Sequence, residues 1–154
     1  MKVSEKTYYP IFEKWLKNRG YTSTYSSVLI WLRQEVDVIG IKYFKTVEPH
    51  IATIEVKMRD WNKVRHQAVN RLNFADFSYI GLVMNNYGIP LDYFIYKFST
   101  DLPILKKYGI GVLLYDELRN KIFQILSARR QKNKPLSPKN EIIEICKELD
   151  KELK

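Results

Sequence analysis

One cysteine, two histidines, six glycines and six prolines in 154 residues leave this chain short of the parts that stapled domains use. With Cys146 alone, neither a disulfide framework nor a four-thiolate zinc site can form within one chain. That cysteine usage points to a reducing, intracellular setting. His50 and His66 stand at no metal-ligand spacing from each other or from Cys146, and both read as ordinary residues. No Ser-His-Asp or Cys-His arrangement has local support. Gly109 and Gly111 open a strand-like run, and no Lys-Ser or Lys-Thr pair follows to make them a phosphate loop.

Long apolar runs are missing too. None approaches the roughly 20 residues needed to cross a bilayer, and the start, MKVSEKTYYP, lacks the apolar segment of a secretory signal. The expected location is the cytoplasm, with no membrane partner. Acidic residues are in deficit: 17 Asp and Glu face 26 Lys and Arg, a net charge of +9 that favours polyanionic partners, nucleic acid above all. The length is enough for one domain with its own core.

What is present is organised by periodicity. In residues 4–19, Tyr8, Ile11, Phe12, Trp15 and Leu16 fall on one helical face, with Ser4 as N-cap and Gly20 just past the end. Pro10 is expected near the start of the regular helix, after a separate first turn. β-branched residues then crowd residues 27–41 and 50–57, which read as two or three antiparallel strands. Residues 60–76 return to helical spacing behind Asp60 as N-cap. FSYIGLVM and YGIGVLLYD read as strands, with a partly helical stretch at 92–107 between them. The expected order is α, two or three β, α, β, α, β, an α/β fold whose mixed sheet is flanked by helices. It divides into a core at 1–126, a basic linker or exposed arm at 127–140, and a C-terminal helix at 141–154.

Three charges sit badly in this pattern. Glu55 and Lys57 end the apolar run IATIEVK, and Asp37 lies within EVDVIGI. Alternation along a strand puts Glu55 and Lys57 on one face, where the plainest reading is an internal ion pair. A second isolated acid changes that reading. If the strands holding 37 and 55 are antiparallel neighbours, both carboxylates converge and repel unless a cation lies between them. Two carboxylates with a backbone carbonyl and waters suit Mg²⁺ or Mn²⁺. Such an ion polarises a phosphodiester oxygen and activates a bound water.

Asp37, then Glu55-Val56-Lys57, between an N-terminal helix and a helix carrying Gln67-Ala68-Val69-Asn70-Arg71, resembles the PD-(D/E)xK nuclease superfamily over about residues 4–115. Val36 stands where the motif has proline. The resemblance implies a restriction-endonuclease-like α-β-β-β-α-β core with a C-terminal helical extension. It implies a metal-dependent nuclease, acting on DNA, with Mg²⁺ or Mn²⁺ held by Asp37, Glu55 and the Val56 carbonyl. Lys57 would be the catalytic lysine, Gln67 would position water or phosphate, and Glu5 would be the first-helix acid, with Glu13 its rival. Arg59, Lys63, Arg65 and Arg71 flank this site and are expected to contact phosphates. Many members of the superfamily pair as homodimers so that two sites cut two strands. A non-catalytic nucleic-acid-binding module that keeps the fold is the alternative.

Overall fold

The computed structural model describes residues 4–58, 60–84, 91–131 and 136–152. Ser4 opens the first turn, its hydroxyl accepting from the Lys6 N–H at 3.2 Å, and a 3-10 turn (Glu5–Tyr8) leads into helix α1 (Tyr9–Lys17). Pro10 falls in the first turn of α1, where no N–H is needed. Gly20, with φ of +94°, lets the chain reverse after the helix while the Tyr21 N–H returns to the Leu16 carbonyl.

Strands β1 (Ser23–Leu29), β2 (Glu35–Lys42) and β3 (His50–Lys57) form an antiparallel meander. Asp60 caps helix α2 (Trp61–Asn70) by accepting from the Lys63 N–H at 3.1 Å. A 3-10 turn (Arg71–Asn73) then leads to β4 (Phe77–Met84), parallel to β3. Helix α3 (Leu91–Tyr108) crosses to β5 (Gly111–Asp116), parallel to β4. β6 (Lys121–Leu126) closes the sheet antiparallel to β5, and α4 (Leu136–Glu152) follows. The sheet order is β1-β2-β3-β4-β5-β6, so every strand lies beside its neighbour in sequence. The fold is α/β, a six-stranded mixed sheet with four α-helices among the described residues.

Period-two alternation sorts the core into layers. Val38, Ala52, Ile54, Val56, Tyr79, Val83, Leu113 and Tyr115 cluster with Phe12 and Leu16 of α1 on one face. The other face divides in two: Ile80, Leu82 and Val112 pack with α2 and α3, while Ile39, Ile41 and Ile51 pack with Phe74 and α4. Helix α1 lies very close to the sheet. A Cβ added to Gly81 would stand 2.8 Å from Ile54 Cγ2 and 2.9 Å from Phe12 Cε1, and one on Gly40 would stand 2.9 Å from Leu16 Cδ1. Two glycines therefore set the depth of α1, and so the height at which Glu5 meets the end of β3.

Two departures from the sequence reading stand out. β6 was not expected: in KIFQIL, Phe123 and Ile125 stay 40% exposed, so an edge strand shows only half of an apolar pattern. The segment expected as a free arm is tied down where it is described. The Arg129 and Gln131 side chains donate to carbonyls at the end of α3, and the Gln131 N–H donates to the Asp76 carbonyl at 2.7 Å. Helix α4 begins at Leu136, five residues earlier than expected, and buries Ile142, Ile143 and Cys146 against β2 and β3.

Lys139 pins α4 in place. Only 1% exposed, it meets Asp76 Oδ2 at 2.8 Å, and that oxygen also accepts from the Ile51 N–H. Removing one partner of a buried pair strands the other charge. Asp76→Ala is therefore expected to lower the unfolding free energy by about 3–5 kcal/mol in urea titrations, more than a typical core truncation.

Candidate active site where β2 leaves β3

Both strands beside β2 lose their regular pairing near Asp37. On the β1 side the ladder passes from Ser26–Val38 to Val28–Val36, and Ser27, which would face Asp37, has φ of +53°. On the β3 side the ladder ends at Val38–Ile54, although β3 runs on to Lys57. Val36 and Val38, which a regular strand would place on one face, join different core clusters. The strand turns over between them, with Asp37 at the pivot.

Carboxylates take over the freed backbone groups. Asp37 Oδ2 accepts from the Val56 N–H at 2.8 Å, and Glu55 Oε2 accepts from the Asp37 N–H at 3.0 Å. Each acid thus bonds the strand that carries the other. Glu5 Oε2 accepts from the Met58 N–H at 2.8 Å, and its Oε1 lies 3.6 Å from Lys57 Nζ. Four of the residues singled out from the sequence, Glu5, Asp37, Glu55 and Lys57, therefore gather at one end of the sheet. The first-helix acid that reaches β3 is Glu5, from the turn preceding α1. Val56 enters through its N–H.

The expected pairing of Glu55 with Lys57 gives way to another. Glu55 is fully buried, and its Oε1 accepts from Arg71 Nη2 at 2.7 Å and Nε at 3.0 Å. Lys57 goes to Glu5 instead. Arg71, expected at a phosphate, is itself only 4% exposed, with Nη1 on Gln34 Oε1 at 3.2 Å and Nη2 on the Glu35 carbonyl at 3.0 Å. Arg65 pairs with Asp101 at 3.0 Å, an acid that also accepts from Trp61 Nε1. Lys63 is exposed, and Arg59 lies outside the described residues. Gln67 is half-buried; its Oε1 is buried with no hydrogen-bond partner among the described residues.

Tyr9 is a residue of the site that the sequence does not announce, and Arg71 takes a role other than the expected one. The Tyr9 phenol is a hydrogen-bond partner of Asp37, and burial, with the Asp37 charge next, raises its pKa. A tyrosine in an apolar helical stripe carries no sign of that partner. Arg71, expected at a phosphate, is instead buried with the core residues Leu72 and Phe74 that follow it.

Burial pushes the Asp37 carboxyl up, while the Val56 N–H, Tyr9 and Lys57 pull it down and Glu5 adds to the rise. Burial and the Asp37 charge push Glu55 up to about 7, against the opposing pull of Arg71. The electrostatic coupling of the two acids means that ionising one disfavours ionising the other.

Among the described residues, no three His, Cys, Asp or Glu side chains stand together as a metal cluster. The donor set is nevertheless all oxygen, which suits a hard dication. Asp37 and Glu5, beside Lys57, fit such an ion in kind, each accepting one backbone N–H, whereas Glu55 accepts three bonds, two of them from the Arg71 guanidinium. Comparison with protein-family models, with curated proteins and with solved structures returned no match, so the site is read from its geometry.

The raised acids carry a pH signature. A carboxyl whose folded pKa lies above its unfolded value stabilises the fold below the unfolded value and loses that contribution as pH rises through the folded one. For Glu55 the window runs from its ordinary 4.5 to about 7. Melting temperature should fall across that window in the wild type, and the fall should be shallower in Glu55→Gln, as thermal melts at a series of pH values would show.

Proposed function

We propose that this chain is a divalent-cation-dependent nuclease of the PD-(D/E)xK type, built on a restriction-endonuclease-like core and directed at DNA phosphodiester bonds. The observation that carries the reading is the meeting of Glu5, Asp37, Glu55 and Lys57, drawn from three segments, through contacts of 2.8–3.6 Å. The order α1, β1, β2, β3, α2, β4 agrees with such a core, and the net charge of +9 suits a polyanionic substrate.

Asp37 and Glu5 are the residues that would hold the cation. When bound, it supplies Lewis acidity and a water of lowered pKa. The chain's own groups do the remaining work. Lys57, partly accessible at the site, offers a fixed positive charge to the phosphoryl oxygens as negative charge builds on them. The hydrogen bonds from Val56 and Tyr9 hold Asp37 in one orientation, so that little reorganisation is needed when substrate arrives.

The bond between Arg71 and Glu55 favours a second reading, a non-catalytic nucleic-acid-binding module in which an arginine has replaced catalytic metal at one acid. Supercoiled and branched DNA incubated with Mn²⁺ or Mg²⁺ separates the two. Nicking by the wild type is expected, with Asp37→Asn and Lys57→Ala each slower by about 100-fold or more. A wild type that shifts DNA in gels at low salt but cuts no DNA or RNA form would leave the module.

A further inference from the structure

Two acids at the joint of β2 and β3 need a cation, and the structure already contains one. Glu55 is fully buried, so its charge has no solvent to rely on. Three donors serve it: Arg71 Nη2 and Nε on Oε1, and the Asp37 N–H on Oε2. The guanidinium is anchored in its turn by Gln34 and the Glu35 carbonyl, both on the approach to β2. It is also a base that stays charged at every accessible pH.

We propose that Arg71 is the resident cation of this site: its guanidinium stands at Glu55 where a nuclease of the proposed kind would use a dication, and Glu55 braces β2 against β3 without binding metal. The inference rests on the functional reading above, and it reassigns the ion-holding pair to Asp37 and Glu5. Withdrawing Arg71 from Glu55 would leave a fully buried carboxylate and a nearly buried guanidinium with too few partners. Arg71 also joins three segments that the sequence separates: the turn before β2, the end of β3 and the turn after α2. A dication at Glu55 Oε1 would have to displace both of the bonds that Arg71 makes there.

The test uses the full chain, with Mn²⁺ titrated by calorimetry and melting followed without metal. At about pH 8, where Glu55 is ionised, Glu55→Gln and Arg71→Met should each lower the melting temperature by roughly 10 °C, since each strands a buried partner. The double variant should melt well above the sum of the two losses, because it removes both charges together. Mn²⁺ affinity should stay within about threefold of wild type in Glu55→Gln, and in the double variant should the single fold poorly, but fall about tenfold or more in Asp37→Asn. Strictly additive melting losses, or loss of Mn²⁺ binding in the Glu55 variants equal to that in Asp37→Asn, would overturn the assignment. A wild type that binds Mn²⁺ yet cuts nothing removes the nuclease reading alone, and these same measurements still judge Arg71. If the wild type takes no Mn²⁺, the metal reading falls, and the melting cycle decides the role of Arg71 by itself.

Discussion

Two carboxylates embedded in neighbouring strands can persist only if each is given donors in place of water, and here the backbone supplies the first of them. The Val56 N–H serves Asp37 and the Asp37 N–H serves Glu55. Those amides would otherwise be lost donors at the point where β2 leaves β3. One arrangement therefore answers two problems, an opened ladder and a pair of buried acids. Arg71 completes it, because the residual repulsion between the acids needs positive charge within a few ångströms. The rest of the site is assembled around this joint.

Helix α1 reaches the joint because glycine lets it. Phe12 rests against Gly81 and Leu16 against Gly40, so at these two positions no sheet side chain stands between the helix and the strands. The turn before it then hangs over the end of β3, where Glu5 takes the Met58 N–H and faces Lys57. On the opposite face, Lys139 and Asp76 do comparable work for α4 beside the start of β4, and the Tyr25 hydroxyl secures the far end of α4 through Asp150 at 2.7 Å. Ion pairs thus appear at both of these docking points, half-buried at Glu5–Lys57 and fully buried at Lys139–Asp76. A buried pair contributes little net stability over a hydrophobic substitute, but it penalises misplacement heavily, because either charge alone is costly to bury.

Basic residues are divided between surface and interior in a way that net charge conceals. Arg65, Arg71 and Lys139 spend their charge on Asp101, Glu55 and Asp76, so they add little to the field that a polyanion would meet. Arg129 is used at the end of α3, where its guanidinium donates to the Lys106 and Lys107 carbonyls. Lys63, by contrast, is exposed on α2. The basic surface open to a partner is accordingly narrower than 26 Lys and Arg suggest.

Periodicity alone was enough to locate α1, α2 and the strands β2 to β5, because each shows a full apolar stripe or run bounded by Gly, Pro or a capping acid. It was not enough for β6, where Phe123 and Ile125 stay largely exposed, nor for the start of α4, where Pro138 stands inside the helix's first turn and reads as a breaker. The candidate acids were legible for a related reason: Asp37 and Glu55 interrupt β-branched runs, and such interruptions are visible in one dimension. Which cation answers which acid was not. Alternation says that Glu55 and Lys57 share a face of a regular strand, yet the ladder ends beside them, and Arg71, folded back by the turn after α2, arrives first at Glu55. Residue order carries the pattern of burial, whereas the partner of a buried charge is set by which segments the completed fold brings within hydrogen-bonding distance.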